Sequence, residues 1–127
     1  MTLYRVYGDG DGETHLAAID LPLIQVNSEG VAQVRGLLAI PATQAGVVEL
    51  IEPTPSLDLH PAPERRLIVF LRGATEIRTT SGDRQVLRAG DCLLADDVET
   101  RGHFTTDVGN EPRQMVTINI DPDWPVP

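Results

Sequence analysis

The chain has no lysine: all ten of its basic residues are arginine, set against nineteen Asp and Glu. Neither a lysine Schiff base nor a lysine general base is therefore available to it. A formal charge of −9 offers no long-range attraction to nucleic acid or to an anionic membrane, so neither is expected as a partner. The single cysteine, Cys92, excludes an intramolecular disulfide and a thiolate metal cluster built within one chain. No apolar run approaches the ~20 residues that cross a bilayer as a helix. The opening MTLYRVYGDGDGE lacks the basic-then-apolar order of a secretory leader, so a cytoplasmic protein is expected. Serine is scarce too: Ser28, Ser56 and Ser81 sit in turn-like contexts with no nucleophile elbow, which leaves Ser-His-Asp chemistry without support.

What is present reads as β-structure. The 127 residues suit one domain, residues 1–127, large enough to fold without a disulfide. Short apolar or β-branched runs alternate with Gly, Pro and Asp punctuation. The acidic GDGDGE (Gly8–Glu13) is a loop, and its DxDG character lacks the flanking helix and spaced glutamate of a calcium loop. His15–Leu21 is extended, NSEGVAQ (Asn27–Gln33) is a turn, and VRGLLAIP is a strand or a short helix. AGVVELIE (Ala45–Glu52) is a strand. Pro53, Pro55, Pro61 and Pro63 make their segment an edge or a rim, because proline removes ladder donors. RRLIVFLRG is a buried strand, SGD a hairpin turn, AGD a tight turn before CLLA, and QMVTINI (Gln114–Ile120) the last strand. With no long helix, the spacing predicts an all-β barrel or sandwich. Cys92 belongs to the core, with no basic neighbour to activate it, and Trp124 covers a barrel edge or a dimer contact.

Around LHPAPERRLIVFLRG (Leu59–Gly73) the chain resembles the cupin superfamily, specifically its small single-domain members. The first cupin motif has a His, a second His two residues later, a Glu four beyond that, and a Gly seven beyond the Glu. Here those positions are His60, Ala62, Arg66 and Gly73. The second motif opens on a Gly-Asp turn, here Gly90-Asp91, and ends on a His, here His103. The resemblance spans about Val47 to Ile120 and implies a small jelly-roll β-barrel, usually a homodimer, with a pocket inside the barrel.

A metal-binding cupin supplies three His and one Glu to its ion. This chain keeps His60 and His103 but has Ala62 and Arg66 in place of the other two. A fixed positive charge then stands where the cation would sit, so no metal cofactor is expected. In the alternative, His15 joins His60 and His103 to hold Fe, Mn, Ni or Zn. Strand alternation puts Arg66, Ile68 and Phe70 on one face, with Ala62 beside them as substrate-binding positions. A buried guanidinium requires a partner, either internal (Glu49, Glu64 or Asp97) or the carboxylate of a ligand. His60 and His103, at the family's pocket positions, are the catalytic candidates for acid–base chemistry, oriented by Glu64 or Asp107. Asp96 and Asp97 read as solvated loop charges.

The resemblance and these residues lead to a small-molecule site. The first expectation is an enzyme that isomerises, eliminates or cyclises a small anionic or carbonyl-bearing substrate without a metal. The alternatives are a non-catalytic ligand-binding or sensor protein, and a metal-dependent oxygenase with an incomplete ligand set.

Overall fold

A computed structural model of the chain describes residues 3–19, 40–50 and 59–126, together with the backbone of 24–28, 32–36 and 57–58. Twelve strands are formed among these residues and no helix. They are β1 (Leu3–Gly8), β2 (Thr14–Ile19), β3 (Ile24–Ser28), β4 (Ala32–Gly36), β5 (Ala42–Glu49) and β6 (Leu57–His60), followed by β7 (Arg66–Arg72), β8 (Ala74–Thr79), β9 (Arg84–Leu87), β10 (Cys92–Asp96), β11 (His103–Val108) and β12 (Gln114–Ile120). A six-stranded sheet runs in the order β2-β1-β10-β7-β12-β5 and a four-stranded sheet in the order β6-β11-β8-β9. Among the described residues the hairpin β3–β4 pairs only with itself. All pairings are antiparallel except β1 with β10, where Leu3 faces Cys92 and Tyr7 faces Asp96. The all-β expectation is met in a two-sheet form compatible with a small jelly roll, although the sheets are not hydrogen-bonded into a closed barrel.

Alternation along the central strands explains how the sheets pack. On β7 and β10, Ile68 lies opposite Leu93 and points into the sandwich, while Leu67 lies opposite Leu94 and points out. The inner cluster joins Val6, Phe70, Leu93 and Ala95 of one sheet to Ile77 and Leu87 of the other. A second apolar cluster lies on the outer face, where Leu3, Leu94 and Ile120 are buried beneath Trp124 and Val126. Trp124 thus covers the outer face of the sheet. Arg65 holds that tail in place: its Nη1 donates to the carbonyls of Asp121, Pro122 and Trp124, and its guanidinium lies 5.6 Å from the Trp124 ring centroid.

The punctuation behaves as expected. SGD turns β8 into β9, and AGD precedes β10, with Gly82 and Gly90 at φ of 93°. β6, in the proline-rich stretch, is an edge strand. Three strands, β1, β3 and β11, go beyond the sequence reading. β1 escaped it because the two strongly apolar positions of LYRVYG, Leu3 and Val6, lie on opposite faces and give no alternating run, and β11 because HFTTDV is largely polar. The NSEGVAQ turn is narrower than expected: Asn27 and Ser28 end β3, Ala32 and Gln33 begin β4, and Asn27 lies opposite Gln33. Residues 20–21, 29–31, 37–39 and 51–56 of the predicted extended segment, turn, strand and proline segment lie outside the described residues.

Candidate functional site

A cavity of about 320 Å³ opens between the two sheets. Its wall includes His60, Ala62, Arg66, Ile68, Phe70 and His103, all six positions expected at the site. His15 does not join them. Its Nε2 lies 2.7 Å from Asp9 Oδ2, and its ring packs against Tyr7 at the far end of the β1–β2 hairpin.

The two histidines meet because β6 and β11 are neighbours with His60 directly opposite His103. Their ring centroids are 5.3 Å apart with a tilt of 43°. Gly102 makes this approach possible. It adopts φ +90°, and a Cβ placed there would overlap the His60 carbonyl group and the Pro61 nitrogen, an approach no side chain tolerates. Thr14 Oγ1 donates to the Gly102 carbonyl at 2.7 Å, tying the junction to β2.

Asp97 corrects the sequence reading. It is fully buried, not a solvated loop charge. Its Oδ2 lies 2.6 Å from His103 Nδ1, and its Oδ1 accepts from the Ala62 backbone N–H at 3.3 Å. An ionised carboxylate only accepts, so the shared proton sits on His103 Nδ1, leaving Nε2 as the ring nitrogen open to proton transfer. Asp96 is likewise engaged, between Arg5 and Arg65. Val98 and Glu99 then turn the chain, Glu99 at φ 60°, and Thr100 Oγ1 closes the turn by donating to the Asp97 carbonyl at 2.6 Å.

None of the internal partners expected for Arg66 reaches it. Asp97 serves His103, Glu64 accepts from Asn119, and Glu49 accepts from Gln114. Arg66 Nε is buried without a hydrogen-bond partner, and among the described residues the guanidinium has no ion pair. Asp107 pairs with Arg113 (Nε to Oδ1, 3.2 Å) and accepts from Thr75 Oγ1 at 3.2 Å.

Arg113, Thr105, Met115 and Leu50 also line the cavity and were not anticipated. Thr105 and Met115 carried a signal: Thr105 is two residues beyond His103 on one strand, and Met115 alternates inward in QMVTINI. Arg113 carried none, since NEPRQ reads as loop. Its side chain is 8% exposed. Burial pulls the guanidinium below its ordinary value and the Asp107 charge opposes that shift.

Two imidazoles beside a guanidinium and a methyl group do not make the donor set of a divalent ion. Among the described residues no group of three or more His, Cys, Asp or Glu is gathered to hold a metal. No helix among them is long and apolar enough to cross a membrane. No protein-family model matches the chain, and a search of curated proteins finds no significant match.

Proposed function

We propose that the cavity is the active site of a metal-independent acid–base enzyme, cupin-like in its motifs, that acts on a small anionic or carbonyl-bearing molecule. The observation that carries this reading is the buried Asp97–His103 pair facing His60 across 5.3 Å. With its Nδ1 proton held by Asp97, His103 takes a substrate proton at Nε2, and the carboxylate stabilises the imidazolium that forms. His60 returns a proton at the other end of the rearranging bond, so an isomerisation closes with no net gain or loss. A cavity of about 320 Å³ stands at the small end of ligand sites, which run from roughly 300 to 1,000 Å³. The kinship with cupins rests on the spacing of His60, Arg66, Gly73 and His103 and on their first, second and fourth members sharing one wall. The same reading carries a homodimer and a cytoplasmic location. The exposed outer side of β5, with Val47 79% exposed, supports the dimer, and sedimentation measures it.

The test is proton exchange. Pyruvate, 2-oxobutanoate, 4-methyl-2-oxopentanoate and phenylpyruvate are each incubated with the protein in D2O, and loss of the proton next to the carbonyl is followed by NMR. Exchange above buffer with at least one acid is expected. His103→Gln, which keeps a donor for Asp97, is expected to lower it at least a hundredfold. Exchange unaffected by His103→Gln refutes the assignment, and binding without exchange leaves a non-catalytic ligand site.

A further inference from the structure

The cavity holds two guanidinium groups that differ in what neutralises them. Arg113 is paired with Asp107, whose side chain is 3% exposed. Arg66 lines the same wall with its Nε buried and no charged partner among the described residues. Arg66 is half-buried, and a partly desolvated cation without a counter-charge gains most when a ligand supplies the anion.

The two arginines also mark opposite ends. Arg66 begins β7 and lies opposite Ala95 and Asn119. Arg113 lies beside Gly73 just past the other end of β7, where a Cβ on Gly73 would be 3.1 Å from the Arg113 Cα. A seven-residue strand puts those backbone positions about 20 Å apart. Between them the wall is apolar: Ile68, Phe70, Ile77, Leu93 and Met115. Asp97 follows two residues after Ala95, so the histidine pair sits at the Arg66 end.

Resting on the reading of this cavity as a small-molecule site, the geometry points to a specific ligand class: a monocarboxylate with an apolar body. Its carboxylate takes two hydrogen bonds from Arg66, and its body lies on Phe70 and the aliphatic side chains. The carbon next to the carboxylate is then held at the histidine end. Among the described residues lining the cavity a second carboxylate meets no free cation, because Arg113 already belongs to Asp107. The cavity therefore selects against dianions as well as against neutral isosteres.

Calorimetric titration of the full chain with benzoate, phenylacetate, benzamide, phenylacetamide and phthalate tests this. The two monocarboxylates are expected to bind at least tenfold more tightly than their amides and than phthalate. Arg66→Gln is expected to erase the preference for acid over amide while amide affinity stays within twofold, and Arg66→Lys to restore part of it. Equal affinity for acids and amides, a preference that survives Arg66→Gln, or no binding of any of the five overturns the ligand class. The proton-exchange assay separates the two ideas: exchange without carboxylate preference removes only this inference, and carboxylate preference without exchange removes only the catalytic reading.

Discussion

Replacing Asp97 by Asn keeps the shape of the side chain and reverses the direction of one hydrogen bond. The native carboxylate accepts twice, from His103 Nδ1 and from the Ala62 N–H. Asn has one acceptor, which stays with Ala62, and its amide then donates to His103 Nδ1. That pushes the ring proton to Nε2, and the nitrogen facing the reaction loses its lone pair. The backbone N–H and the imidazole both keep a partner, so the stability cost is the difference between a charge-assisted and a neutral bond, about 1–2 kcal/mol. Asp97→Ala instead leaves two buried donors without an acceptor, at about 1–3 kcal/mol each. At roughly 3–6 °C per kcal/mol for a domain of this size, the Asp97→Asn and Asp97→Ala proteins should differ clearly in melting temperature. Nitrogen-15 NMR of the imidazole reads the tautomer directly. Wild-type protein is expected to show the proton on Nδ1 and Asp97→Asn to show it on Nε2, with proton exchange lost in the variant. An Nδ1 proton in both proteins, or full exchange activity in Asp97→Asn, refutes the account of how this histidine is poised.

Gly102→Ala drives a Cβ into the His60 carbonyl group at φ +90°, so left-handed strain and overpacking together should cost about 2–5 kcal/mol, measured by urea unfolding. A stable, fully active Gly102→Ala protein would mean that β6 and β11 are not clamped at this point. Asp107→Ala strands the buried Arg113 guanidinium and is expected to lower stability by about 3–5 kcal/mol, whereas Arg66→Gln, which removes a cation with no counter-charge, should hold or raise the melting temperature. The reverse order would show that Arg66 is the structurally paired arginine. Burial, aided by the Asp91 charge, raises the Cys92 thiol above its ordinary value of 9.0. A raised folded-state value means the associated stability is whole below pH 9.0 and is lost as the pH climbs through the higher value. Alkylation by iodoacetamide at pH 8 should accordingly be slower than that of free cysteine, and an equal rate would contradict the burial.

Much of the fold was legible because its signals are local. Gly82 and Gly90 announce their turns, and RRLIVFLRG and QMVTINI announce central strands by composition alone. The site was legible in part for the same reason: Arg66, Ile68 and Phe70 share a face once β7 is recognised. Asp97 was misread because DDVE looks solvated, and nothing local shows that β10 ends by delivering its next residue under a histidine six positions on. The Arg113–Asp107 pair joins the loop before β12 to β11, a meeting that depends on how the two sheets stack and leaves no trace in spacing. The parallel union of β1 and β10 was invisible likewise, since periodicity identifies a strand but not its neighbour.

That union has a kinetic consequence. Leu3 is paired with Cys92, so the first strand made waits for a partner synthesised most of a chain later. Until then only β2 can shield it, and a lone hairpin is marginal in water. Closing so long a loop places the step late and makes it slow. Refolding should therefore pass through a stage in which β7, β10 and β12 already exclude solvent while residues 3–19 still exchange their amide protons freely.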